Sequence, residues 1–115
     1  MRAALVPAID RLSEAVDRLV AAFHPLRIVM FGSYARGDAR EDSDLDLLVV
    51  LPSMGDKRES AVAMLKSLRG IPAAIEVIPT DPAEIERRGQ MPGDVLRAAL
   101  REGKVVYEHR PPRRR

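Results

Sequence analysis

The chain has 115 residues, 46% of them apolar and 31% charged, which is enough for one folded domain with a core and not for two. It contains no cysteine, which removes disulfides, thiolate nucleophiles and cysteine-based zinc sites and fits a cytoplasmic location. Its formal charge of +2 rests on Arg110, Arg113, Arg114 and Arg115; without them 15 basic residues face 17 acidic ones, so the body is mildly acidic and residues 109–115 read as a disordered basic tail.

From the N-terminus, Leu5, Ile9, Leu12, Val16, Leu19 and Phe23 recur at alternating spacings of four and three. This is one core-facing stripe of an amphipathic helix that starts near Pro7 and is closed by Pro25. Arg27 to Phe31 reads as a short buried strand running into Gly32-Ser33, followed by a helical turn over Tyr34 to Gly37 and a polar loop from Asp38 to Ser43. Leu45 to Leu51 is the clearest strand, stopped by Pro52. A helix is expected from Asp56 to Leu68, with Val62, Leu65 and Leu68 on one side and Gly70 as its stop. Ala73 to Ile78 reads as a third strand. Asp81-Pro82-Ala83-Glu84 then has the form of a helix start, with a capping acid, Pro at the first helical position and Glu at the third. A last helix is expected from Asp94 to Glu102, ended by Gly103, and a last strand from Lys104 to Tyr107. This order predicts an α/β (α+β) domain over residues 1–108, with one small sheet covered by helices.

No apolar run approaches the ~20 residues of a membrane span, because Arg, Asp or Pro interrupts each one. Asp10 interrupts the first apolar stretch before it reaches signal-peptide length, so secretion is not expected. Two Phe, two Tyr and no Trp leave little for stacking on single-stranded bases, and a nucleic-acid partner is not expected.

The stretch that carries chemistry is FGSYARGDAREDSDLDLLVV, Phe31 to Val50. A glycine at a strand end lets another group approach the backbone, and the N–H groups that follow, with the Ser33 hydroxyl, form a plausible phosphate cradle. Ten residues later come Asp44 and Asp46, two apart and therefore on the same face of a strand. Asp is disfavoured in strands and adjacent carboxylates repel each other, a repulsion that a divalent cation such as Mg²⁺ relieves. Two acids ending a strand in water would give the same pattern. Glu76 is the only acid in its apolar run. Alone it reads as a solvent-facing residue of an edge strand; if its strand lies beside that of Asp44 and Asp46, three carboxylates converge, enough for two metals about 3.5–4 Å apart. A Walker P-loop is excluded because Asp38 follows Gly37 where Lys is required. His24 and His109 form no His-rich metal site and no partner for a serine nucleophile.

Gly32-Ser33, ten residues and Asp44-Leu45-Asp46 resemble the signature of the minimal nucleotidyltransferases, the smallest members of the DNA polymerase beta-like superfamily. The resemblance extends over Ala35-Arg36-Gly37, Ser43, Leu47 to Val50 and the ending Leu96 to Glu108. It implies a polymerase beta-like palm, a small mixed sheet flanked by helices, and a magnesium-dependent transfer of a nucleoside monophosphate, AMP from ATP, to a hydroxyl. By the same resemblance Asp44 and Asp46 are metal ligands, Gly32 and Ser33 hold the β- and γ-phosphates, and Glu76 is the third catalytic carboxylate, an Asp in most relatives, serving two Mg²⁺ ions. Arg36 touches phosphate or forms an exposed salt bridge. Many such proteins are antitoxins that adenylylate a tyrosine of a partner HEPN-domain RNase, which makes such a protein the expected partner. The alternative is a catalytically weak nucleotide-binding module that neutralises its partner by direct binding.

Overall fold

A computed structural model describes residues 7–109; Leu5 and the tail beyond His109 lie outside the described residues. A single 3-10 turn, Ala8–Arg11, leads into α1, Leu12–Phe23. The helix ends where His24 turns left-handed (φ 50°) and donates its N–H to the Val20 carbonyl, because a residue before proline is pushed out of the helical region. Strand β1, Arg27–Phe31, is followed by the four-residue helix α2, Ser33–Arg36, and by β2, Leu45–Val50. Helix α3, Lys57–Ser67, crosses to β3, Ile75–Thr80. Then come α4, Pro82–Arg88, α5, Val95–Glu102, and β4, Lys104–Glu108. Asp56, Asp81 and Asp94 each cap a helix by accepting a backbone N–H, the role that acids before helices are suited to.

The four strands form one mixed sheet in the order β3-β2-β1-β4. β1 runs antiparallel to both β2 and β4, while β2 and β3 are parallel and joined by the α3 crossover. Strand alternation gives the sheet two apolar faces. On one, Ile28, Met30, Leu45, Leu47, Val49 and Val77 pack against Ala15 and Leu19 of α1 and Met64 of α3. On the other, Val29, Phe31 and Leu48 meet Leu96 and Ala99 of α5. Leu45, Leu47 and Val49 are fully buried, and truncating such a leucine costs about 2–5 kcal/mol. They anchor β2 and so fix its other face. The expected mixed sheet flanked by helices is the observed one.

Two expectations need correction. The third strand runs from Ile75 to Thr80, two residues later than Ala73 to Ile78. It passes through Pro79, which a strand tolerates when it lies at the sheet edge, as β3 does. The buried side of α3 also matches the expected one only at Leu68. Met64 and Leu68 are buried, whereas Val62 and Leu65 are 46% and 50% exposed. Lys57, Ala61, Met64 and Leu68 follow the helical spacing of the inward face.

Candidate active site

The site grows from the start of β2. Because Leu45, Leu47 and Val49 point into the first core, Asp46 shares the opposite face with Leu48 and Val50. β2 has a neighbour on each side, so Asp46 pairs with Phe31 on β1 and with Glu76 on β3. Asp44 lies one residue ahead of the strand, and the Leu45 N–H that follows it already donates to the Ala74 carbonyl. Asp46 is half-buried, while Asp44 and Glu76 are exposed. Glu76 is thus both readings at once, a solvent-facing residue of an edge strand and the register partner of Asp46.

On the β1 side, the chain turns at Gly32 with φ 76° and ψ −153°, a conformation essentially restricted to glycine. A Cβ placed there would collide with Asp46 Oδ2 and stand 3.1 Å from its Cγ. The glycine therefore lets the backbone at the mouth of α2 press directly on the carboxylate. Its own carbonyl accepts from the Ala35 and Arg36 N–H groups at 3.1 and 3.0 Å, which makes Ser33 the first residue of α2. Ser33 remains partly exposed.

These contacts crowd negative charge. The Asp46 carboxyl is pushed up to about 6, first by burial, then by the charges of Glu76 and Asp44 and by its hydrogen-bonded approach to Glu76. Arg36 pulls the other way. That arginine forms two exposed ion pairs. Its Nε lies 3.3 Å from Asp38 Oδ2 and its Nη1 lies 3.3 Å from Glu102 Oε1. Glu102, which ties α5 to the corner, carried no local signal because it stands 66 positions away. The Tyr34 hydroxyl, buried without a hydrogen-bond partner, was equally invisible.

The residues that could hold a metal are Asp44, Asp46 and Glu76, at one end of the sheet. Among the described residues no three His, Asp or Glu side chains already form a preformed metal cage. The donor set nevertheless fits a hard divalent cation. It is all carboxylate oxygen, and Mg²⁺ takes only one or two protein carboxylates before completing its shell with water and substrate phosphate. At Gly32 it is backbone, not a side chain, that faces the Asp46 carboxylate.

No helix among the described residues is long and apolar enough to cross a membrane. In sequence, 33 residues are 48% identical to one candidate protein adenylyltransferase of Methanocaldococcus jannaschii, and 24 residues are 62% identical to a second from the same organism. The matched stretches make up 29% and 21% of this chain, but only 33% and 24% of those relatives' lengths. In fold, a candidate nucleotidyltransferase of Sulfolobus solfataricus superposes with a TM-score of 0.63 at 21% identity, over 88% of this chain and 80% of that one. A toxin–antitoxin protein crystallised with AMP-PNP superposes with a TM-score of 0.53 at 19% identity, over 85% and 74%. At these identities the likeness to the two solved structures is one of fold. The family itself follows from the chain as a whole, since the nucleotidyltransferase domain model matches residues 9–106, from within the first turn to β4, and the protein belongs to that family.

Proposed function

We propose that this chain is a magnesium-dependent nucleotidyltransferase that moves AMP from ATP to a hydroxyl, a tyrosine of a partner HEPN-domain RNase, as the antitoxin of a two-protein pair. The observation that carries this reading is the position of Asp46, pressed by the Gly32 backbone on one side and opposed by Glu76 on the other. The relatives named as protein adenylyltransferases and the toxin–antitoxin fold neighbour with AMP-PNP support the acceptor class and the nucleotide.

Asp44, Asp46 and Glu76 would hold two Mg²⁺ ions, which when bound neutralise charge on the triphosphate and on the departing pyrophosphate. Gly32 and Ser33 receive the β- and γ-phosphates through backbone N–H groups and the serine hydroxyl. The acceptor oxygen bonds to the α-phosphorus, the bond to the bridging oxygen breaks, and pyrophosphate leaves. Glu76 takes the acceptor proton, a role open to an exposed carboxylate beside a half-buried one. Its edge strand leaves room for an acceptor side chain presented by another protein.

A second reading is a module that binds nucleotide and neutralises its partner without transfer. It is favoured by the absence of a preformed three-acid cage among the described residues and by Glu, one methylene longer than the Asp most relatives carry, at position 76. Incubation with α-labelled ATP, Mg²⁺ and the product of the neighbouring gene as candidate partner separates the two. Covalent label on a partner tyrosine establishes transfer; a stable unlabelled complex establishes the module.

A further inference from the structure

We propose that the outward face of α3 is a self-association surface on which a second copy of this chain docks in antiparallel fashion. Glu59, Val62, Ala63 and Lys66 follow the spacing i, i+3, i+4, i+7, a single stripe along the helix, and all four are exposed. With Asp56 and Arg58 they line a shallow groove of about 520 Å³. Val62 and Leu65, 46% and 50% exposed, are two large apolar side chains on a helix that already buries its other face through Met64 and Leu68. Among the described residues Glu59 and Lys66 have no ion-pair partner, although eight ion pairs are formed elsewhere.

An acid near the start and a lysine near the end of a helix suit its dipole, but the dipole does not explain exposed Val62 and Leu65 beside them. The stripe is self-complementary. A two-fold axis between Val62 and Ala63 sets Glu59 of each copy against Lys66 of the other, with Val62 of each copy meeting Ala63 of the other. This is the isologous arrangement that a symmetric dimer requires. The face lies on the side of the sheet away from Asp46, so docking there leaves the acidic corner open. One short helix pair buries well under the ~800 Å² per partner of a standard interface, so the dimer is weak, rapidly exchanging and sensitive to salt.

Sedimentation equilibrium on the full chain at concentrations up to about 0.5 mM, in low salt and in about 0.5 M salt, tests this. A monomer–dimer equilibrium weakened by salt is expected. Glu59→Lys and Lys66→Glu should each raise the dissociation constant about tenfold, because each sets like charges opposite one another. The double reversal should restore dimerisation, with thermal melts checking that all variants fold. A wild type that stays monomeric throughout, single reversals without effect, or a double reversal that fails to rescue would each overturn the proposal.

Discussion

Asp46 on β2 and Glu76 on β3 stand directly opposite one another across the parallel pair, and the crowding leaves the Asp46 carboxyl at about 6 rather than in the ordinary range near 3.8. The raised value means that the folded protein holds its proton more tightly than the unfolded chain does. Stability associated with this group is therefore complete below about pH 3.8 and is lost as pH rises through about 6. At neutral pH, without metal, the carboxylate destabilises the fold. Asp46→Asn should then raise the melting temperature of chelator-treated protein at pH 7.5, by a stabilisation on the order of 1 kcal/mol after allowance for solvent screening. The gain should shrink toward pH 4, while the same variant loses nucleotidyl transfer. Calorimetry across that pH range checks the sign.

Gly32 and Gly37 both have positive φ, 76° and 88°, yet only Gly32 has a neighbour in the way of a Cβ. Gly37→Ala should cost about 1 kcal/mol, the conformational penalty alone. Gly32→Ala adds a collision with Asp46 and should cost about 2–4 kcal/mol. It should also remove most transfer activity even at temperatures where the variant is folded. Paired urea titrations compare the two.

Glu84 is nearly fully buried, at 4% exposure, and tests stability without touching the acidic corner. It accepts from Thr80 Oγ1 at 2.6 Å and from Lys57 Nζ at 2.7 Å, and Arg88 stands 3.3 Å away. Burial would raise its carboxyl, but the bonds from Lys57 and Thr80 outweigh burial and hold it below the ordinary glutamate range. The depressed value stabilises the protein above the unfolded pKa, and the stabilisation is lost as pH falls through the folded one. Glu84→Gln should cost about 1–3 kcal/mol at pH 7 and reduce the acid sensitivity of unfolding. An equal loss at pH 3 and pH 7 would refute this role.

Ser33 is the first residue of α2 and remains partly exposed. If its hydroxyl receives the triphosphate, Ser33→Ala should raise KM for ATP by about tenfold, the value of one hydrogen bond to a charged group, while stability moves by under about 0.5 kcal/mol. Initial-rate kinetics with the partner protein as acceptor measures the split between KM and kcat.

Much of this architecture was legible because punctuation residues mark it. Pro25 and Pro52 stand just beyond helix and strand ends, and Asp56, Asp81 and Asp94 announce three helix starts by the capping chemistry they perform. Where reading failed, the missing information was tertiary. Pro79 argues against a strand until β3 is known to be an edge. The outward Val62 and Leu65 could not be told from the inward Met64 and Leu68, because α3 carries apolar residues on both sides and only the sheet decides which side is covered. Glu84 has the position expected of a capping-box residue, yet its side chain turns to Thr80, Lys57 and Arg88. The Asp44 and Asp46 pair was visible as a spacing; its meeting with Glu76 depended on a parallel register set by a crossover of some two dozen residues.

Manganese titration followed by electron paramagnetic resonance, in the presence of a non-hydrolysable ATP analogue, addresses the acidic corner most directly. Wild-type protein should bind two ions per chain only when nucleotide is present, and Asp46→Asn and Glu76→Gln should each weaken that binding by at least about tenfold. Manganese uptake that is unchanged in both variants would contradict the assignment of this corner as the nucleotide–metal site.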